Sequence, residues 1–407
     1  MALSDYDVAI VGAGFVGASL AIALSRCGLN VVVIDSRTPL VEVGSEDVRG
    51  IALSPSSQGV FSELDLWPQL RERAMPIREI RVTEQGSIPS VQLSANEFGL
   101  DALAHVVPAD HLLRTIENQL LNEAKVIWRT NIEAYHHAGT HVQLNLREPD
   151  GGIEQISARL LVGADGVNSK VRELANIAST VRAYNQQAIV ATAKIDGLKP
   201  DLAIERFTRS GPVAVLPSSP GRHVLVRCCR LESTEQLMAM SDNEFIADVT
   251  ERLARPIGNI SELGQRRAHP LILSRAEQLV AERVALIGAA AVTVHPNAAQ
   301  GLNLGIRDVA ELCQTLAGGT GPDFGSHEQL ERFAAKRKRD HRRVVRFTDA
   351  LARGFGNDFP GLQAVRSLGL LAGKLSRELR REIIYQGVGQ GRVQSLPFIH
   401  RQSTGPA

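Results

Sequence analysis

The sequence predicts an α/β protein in which a Rossmann-like dinucleotide-binding domain carries an antiparallel-sheet domain and ends in C-terminal helices. Three observations predict it. A strand, a glycine-rich turn, a helix and a second strand follow one another within the first 35 residues. A second glycine turn, "LLVGADGVNSKVR", and a third small-residue segment, "ALIGAAAVTVHPNAAQGLNLGIRD", each follow a buried apolar run. Between them, residues 186–270 change to the alternating pattern of half-buried strands.

The N-terminal unit is "YDVAIVGAGFVGASLAIALSRCGLNVVVID". "DVAIV" reads as a short buried strand. Gly12, Gly14 and Gly17 fit G-x-G-x-x-G, the helix runs to a stop at Gly28, and the second strand ends in Asp35. Gly12 allows the tight turn, Gly14 lets a pyrophosphate approach the backbone, and Gly17 lets helix and strand pack closely. The N–H groups that open the helix stabilise phosphate charge. Asp35 is placed to accept hydrogen bonds from ribose hydroxyls. Its carboxylate would repel a 2′-phosphate despite Arg37 nearby. The motif in this order is specific for a dinucleotide and does not choose between NAD and FAD.

Further on, "IALSPSSQGVFSELDL" reads as a helix capped by Ser54 or Ser56, with Arg49 before it. Arg49 suits a phosphate and would otherwise be a surface arginine. "IREIRVTEQ" and "SVQLSA" alternate as strands, and "PADHLLRTIENQLLNEA" is an amphipathic helix bearing Arg114. A strand meander then returns to the central sheet. At its end Asp165 and Gly166 form a turn, with Asp165 able to hold that turn or to reach a ribose. "STEQLMAMSDNEFIADVTERLAR" reads as helical. Residues 1–80, 100–185 and 271–330 are expected to form a discontinuous dinucleotide-binding domain. Residues 81–99 and 186–270 are expected to form the substrate-binding sheet domain, and 331–407 a C-terminal helical region.

Composition narrows the function. The formal charge is +1 over 407 residues, which does not suggest a nucleic-acid partner. No window has the roughly 18 uninterrupted apolar residues of a membrane helix. The pattern enters a strand almost at once, leaving no room for a signal peptide. The four cysteines, Cys27, Cys228, Cys229 and Cys313, form no C-x-x-C pair. That implies a reducing, cytoplasmic setting and no metal site. His136 and His137 lack a third ligand at metal spacing.

The three motifs in this order resemble the single-component flavin-dependent aromatic hydroxylases of the p-hydroxybenzoate-hydroxylase-like fold, over about residues 5 to 350. "RGIALSPSS", "IERFTRSGPVAVLP" and "HPNAAQGLNLGIRDV" narrow the resemblance to the hydroxylases of ubiquinone biosynthesis, and within them to the 2-polyprenyl-6-methoxyphenol hydroxylases. The resemblance implies FAD as the dinucleotide, with Asp35 on the adenosine ribose and Arg49 and Arg114 near the pyrophosphate or ribityl chain. It implies that Asp165 and Gly166 serve FAD and the nicotinamide cofactor, with NAD(P)H a co-substrate lacking a glycine-rich domain of its own. The loop from Pro296 through Gln300, Gly301 and Leu302 to Asn303 would face the flavin ring. Two departures stand out. Gly288-Ala289 replaces the usual Gly-Asp, whose aspartate bonds a ribityl hydroxyl, and Ala299 replaces the glycine before Gln300-Gly301.

The resemblance implies that NAD(P)H reduces FAD, that O2 adds at flavin C4a to give a hydroperoxide, and that the ring of a polyprenyl phenol attacks its distal oxygen. His295, Pro296 and Gln300 are the residues of the flavin-facing loop closest to that chemistry. His295 is either an acid/base or, with Pro296, a shaper of the loop, and shaping is preferred. Glu205 and Arg206 lie either near the substrate or in a solvated ion pair on the sheet. A second reading, motivated by Ala289 and Ala299, is an FAD-poor binding or scaffold protein acting with other enzymes of the pathway. An NAD-dependent dehydrogenase would leave the later two motifs unexplained. The basic stretch "AAKRKRDHRRVVRFTDALARGF" is either a solvated helix face or a contact with the inner face of an anionic membrane.

Overall fold

The computed structural model describes residues 5–43, 47, 49–86, 90–254, 257–296, 299–317 and 323–355, with Ser376, Glu378, Arg381 and Leu396 beyond them. From residue 356 on, the C-terminal helical region expected over 331–407 lies almost wholly outside the described residues.

The first sheet is built on five parallel strands in the order Val284–Leu286, Ile153–Gly163, Tyr6–Val11, Val31–Asp35 and Lys125–Trp128. Val8, Ala9 and Ile10 are fully buried, as are Val32, Val33 and Ile34. Such continuous apolar runs suit strands covered on both faces. The cradle helix, Phe15–Arg26, buries every residue from Gly17 to Leu24. It stops at Gly28, whose positive φ of 83° lets Leu29 N–H reach back to the Leu24 carbonyl at 3.2 Å. The meander Asn131–Ala138 and His141–Arg147 pairs antiparallel with the first half of Ile153–Gly163.

The expected helix over 51–66 is shorter than its pattern suggests. Gly50–Leu53 is a strand, paired antiparallel with Ala104–Pro108, and the helix occupies Pro55–Glu63. Ser54 is the cap, accepting from Ser57 N–H, and Pro55 opens the helix at a position where no N–H is required. Ala104–Pro108 also pairs with Met75–Ile77, completing a three-stranded sheet.

The second sheet has nine strands and includes Glu79–Glu84, Val91–Ser94, Leu202–Phe207, Val213–Ser219 and Arg222–Arg230. Strands Ser179–Asp196 and Arg267–Ala276 run through 179–185 and 271–276, so this sheet continues past residues 186 and 270, with a register shift between Ala183 and Gln187. It is antiparallel except that Leu202–Phe207 runs parallel to Glu79–Glu84. That pair is joined by a crossover of more than a hundred residues rather than a hairpin.

One face of the second sheet packs Ile189, Ile204, Val213 and Leu225 against Leu237, Phe245 and Val249 of two helices, Thr234–Ala239 and Asp242–Leu253. These were expected as one helical stretch. They separate at Met240–Ser241, where Ser241 and Glu244 form a capping box that restarts the helix. The opposite face presents Ala188, Val190, Val224, Cys228 and Leu271, with Tyr184 and Leu216 beside them. It meets the three-stranded sheet closely: a Cβ on Gly50 would lie 2.8 Å from Val106 and 3.1 Å from Val224.

Candidate active site

All three sequence motifs lie at the carboxyl ends of neighbouring parallel strands. Gly12 follows Val11, Asp165 follows the strand ending at Gly163, and Gly288 follows the strand ending at Leu286. This is the crevice where open α/β sheets hold ligands.

The glycines there divide into those the fold needs and those that leave room. A Cβ on Gly17 would sit 2.0 Å from the Gly12 carbonyl oxygen, and one on Gly12 2.5 Å from that of Ala164. A Cβ on Gly14 would meet nothing within 4 Å, and the same holds for Gly166 and Gly301. Gly12 and Gly17 therefore weld helix to sheet, while Gly14 borders open space at the helix N-terminus. No acid stands in that first turn and no side chain caps it, so its N–H groups remain available to an anion. These features fit a bound pyrophosphate.

Asp35 holds this turn as well as bordering it. One carboxylate oxygen accepts Ala13 N–H at 2.6 Å and the other accepts Arg37 N–H at 2.8 Å. Each oxygen retains a lone pair for a ribose hydroxyl. The Arg37 side chain lies 3.5 Å from Asp35 through its Nε and has further partners. It stacks on Trp128 at 4.7 Å, pairs with the buried Glu117 at 2.7 Å, and donates to the Ala13 carbonyl at 2.8 Å.

Arg49 pairs with Asp47 at 2.6 Å, which holds its guanidinium above the usual range and the Asp47 carboxyl below it; burial opposes both shifts. Arg114 is exposed on the helix Ala109–Glu123. Asp165 uses one oxygen to accept Lys170 and Val171 N–H groups, at 2.6 and 3.1 Å. Its other oxygen is buried with no partner among the described residues, as expected of an acceptor reserved for a ligand hydroxyl.

The third motif closes the crevice. Gly305 and Gly288 both press on Val16 of the cradle helix, where added Cβ atoms would lie 2.6 and 3.1 Å away. Ala289 is exposed and carries no hydrogen-bonding side chain. His295 is buried, with its ring edge-on to Tyr184 at 4.9 Å and 88°. Pro296 is exposed, Asn297 and Ala298 lie outside the described residues, and Gln300 is fully buried at the start of the loop helix, Gln300–Ala317. Ala299 adopts φ 50°, a left-handed conformation that costs a residue with a Cβ roughly 1–2 kcal/mol. Ala299→Gly is therefore expected to raise the midpoint of chemical unfolding, by about 0.5–1 kcal/mol of stability.

Asn303 acts through its backbone or not at all on a cofactor. Its side-chain carbonyl accepts from Ser54 N–H and the Ser57 hydroxyl, and its amide donates to the Ala52 and Ala299 carbonyls, all within 2.9 Å. That exhausts its capacity. The side chain staples the loop to the 50–57 segment.

Several supporting residues carried no sequence signal. Arg172 donates to the Ala290 carbonyl at 2.9 Å and to the Val167 carbonyl at 2.8 Å, tying the second motif to the third. Asp308, fully buried, accepts Gly288 N–H at 3.0 Å with one oxygen. Its other oxygen accepts from Arg337 and His341 of the basic helix His327–Phe355, each at 2.7 Å. Burial alone would raise the Asp308 carboxyl, but His341 and Arg337 together hold it down at about 2. Glu205 and Arg206 do not pair side by side: adjacent strand residues point to opposite faces of the sheet. No cluster of three metal-ligating side chains occurs among the described residues.

Fold and cradle together define a dinucleotide-binding protein, and comparison with known proteins makes the dinucleotide FAD. The family model described as "FAD binding domain" matches residues 5–348. The ubiquinone hydroxylase UbiL of Rhodospirillum rubrum is 34% identical, over 94% of this chain and 89% of that protein. The 3-demethoxyubiquinol 3-hydroxylase of Escherichia coli is 32% identical, over 94% and 98%. The crystal structure of p-nitrophenol 4-monooxygenase PnpA from Pseudomonas putida superposes with a TM-score of 0.76 over 95% of this chain and 99% of that one, at 17% identity. The chain belongs to the FAD-binding family of flavin-dependent monooxygenases that includes these ubiquinone-biosynthesis hydroxylases, and FAD is its cofactor.

The missing aspartate at 289 sets a measurable expectation. A ribityl hydroxyl bond restored by Ala289→Asp is worth about 0.5–1.5 kcal/mol, or roughly tenfold in affinity. Titration of apoprotein with FAD should show that gain, with the melting temperature of the apoprotein little changed.

Proposed function

We propose that this protein hydroxylates the aromatic ring of a polyprenyl phenol in ubiquinone biosynthesis, using NAD(P)H and O2. The observation that carries the substrate reading is the apolar layer Ala188, Val190, Cys228 and Leu271, which continues through Tyr184 to His295 at the flavin loop. Such a wall suits a prenylated ring and keeps water from the reacting centre. Bound FAD supplies the oxygen-activating chemistry.

The chain's own residues bind and orient. The N–H groups at the start of the cradle helix hold the pyrophosphate, and Asp35 and Asp165 take ribose or ribityl hydroxyls. Arg49 and Arg114 add positive charge. The N-terminus of the loop helix, from Gln300 through Gly301 and Leu302, stabilises negative charge on the ring system. His295 and Pro296 shape the loop, with Tyr184 fixing the imidazole.

The peripheral partner is the inner face of an anionic membrane, where such a phenol dissolves. Lys338, Arg339, Arg342 and Arg346 of the basic helix are exposed. No helix among the described residues is long and apolar enough to cross a membrane. Ala289 and the left-handed Ala299 favour a second reading, an FAD-poor scaffold for other enzymes of the pathway.

The test is complementation of hosts that each lack one ring hydroxylation. Rescue in one host, with loss of its accumulated intermediate, supports the hydroxylase and assigns the ring position. Rescue equally achieved by a variant that titration shows to bind no FAD supports the scaffold.

A further inference from the structure

Glu205 differs from every other residue of the apolar wall. It lies in strand Leu202–Phe207, opposite Ala214 on one side and Val82 on the other. Its neighbour Ile204 packs under the two helices, on the far face of the sheet. Ala203, which shares Glu205's face, packs on Ile77 and Val106 of the three-stranded sheet. Cys228 lies near enough that burial first and the Glu205 charge second push its thiol up to about 12. Cys228 in turn belongs to the layer that reaches Tyr184 and His295. One continuous wall therefore runs from the flavin loop to Glu205.

The carboxylate has no hydrogen bond or ion pair among the described residues, yet its side chain keeps accessible surface. Burial pushes it up to about 7. A buried acid without a partner is costly in a packed core. One that retains surface of its own can still be reached by a ligand.

We propose that Glu205 is the catalytic residue that receives the phenolic O–H of the substrate at the inner end of this wall. The inference rests on the hydroxylase reading above. The proton moves from the phenol oxygen to a Glu205 oxygen, and the electron pair left behind enriches the ring carbon that takes one atom of O2. The ring C–H proton leaves with the second oxygen atom as water, and Glu205 returns its own proton to the product oxygen. With NAD(P)H supplying two electrons, phenol, O2, NAD(P)H and H+ give hydroxylated phenol, H2O and NAD(P)+. Among the described residues the titratable groups on Glu205's face are Cys228, which stays a thiol throughout the range concerned, and the buried Glu84, two residues past Val82 on the neighbouring strand.

The experiment uses FAD-loaded protein and 2-geranyl-6-methoxyphenol, with hydroxylated product and NAD(P)H consumption measured across pH. Wild-type kcat/KM should fall as pH drops through about 7, as Glu205 takes up a proton. Glu205→Gln should hydroxylate at least tenfold more slowly with that limb absent, while NAD(P)H still reduces its flavin at the wild-type rate without substrate. Glu205→Asp should keep the limb. Hydroxylation by Glu205→Gln within twofold of wild type and with an unchanged profile overturns the proposal. So does a Glu205→Gln protein that loses FAD or fails to fold, since that assigns a structural role. Wild-type protein whose flavin is reduced but which leaves the phenol untouched overturns the hydroxylase reading, and this inference with it.

Discussion

Asp308→Ala is expected to destabilise the protein by about 3–5 kcal/mol and to loosen the flavin loop. The carboxylate is fully buried and compensates Arg337, which is only 3% exposed. Asp340 also pairs with Arg337 at 2.8 Å, but it is shared with Arg307 at the same distance. Removing Asp308 leaves a buried guanidinium with half its counter-charge and leaves His341 Nε2 without its acceptor. It also frees the Gly288 N–H, so the turn bearing Ala289 loses its anchor. Urea unfolding of the apoprotein measures the first effect, and FAD titration of the folded fraction measures the second.

The pH dependence follows from the same group. Its folded value of about 2 lies below the ordinary carboxylate value, so its stabilisation is present in full above about pH 4 and fades as pH falls through 2. Asp308→Asn should flatten stability over that interval. An Asp308→Ala protein that unfolds at the wild-type urea concentration would show that the basic helix is not anchored there.

The second large effect separates the two kinds of glycine in the first motif. Gly17→Ala forces a methyl to 2.0 Å from the Gly12 carbonyl and 2.9 Å from Ala164 Cβ, so the cradle helix must move off the sheet. Both stability and FAD binding should fall, the former by about 1–3 kcal/mol or more. Gly14→Ala meets no protein atom. Its apoprotein should melt within about 0.5 kcal/mol of wild type, while FAD affinity drops at least tenfold because the methyl takes space the pyrophosphate needs. Equal affinity in Gly14→Ala and wild type would place the pyrophosphate elsewhere.

Much of this site was legible because its signals are local. The glycine spacing, the strand end at Asp35 and the Ser54 cap each depend on a few consecutive residues, and each stands in the element where the sequence puts it. The Asp-Gly turn was legible too: of the two roles foreseen for Asp165, holding the turn is taken by one oxygen, and the other oxygen is buried with no partner among the described residues.

What was not legible depends on distance along the chain. Asp308 and its partners stand 29 and 33 residues apart, on helices whose own periodicity accounts for them as ordinary charged positions. The strand Gly50–Leu53 was hidden because its partner at 104–108 lies half a domain away, while the adjacent helix signal was strong. Asn303 looked like a ligand contact because it lies in the third motif, whereas its four side-chain bonds all go to protein. Glu205 and Arg206 allowed either a place near the substrate or an ion pair, and only the sheet gave their strand two differently covered faces.

The most direct test of the whole account is turnover of the FAD-loaded protein with a prenylated methoxyphenol under ¹⁸O2. The account predicts one labelled oxygen atom on the aromatic ring, with NAD(P)H consumed in step with product. Consumption of NAD(P)H that yields only hydrogen peroxide, with the phenol recovered unlabelled, would contradict it.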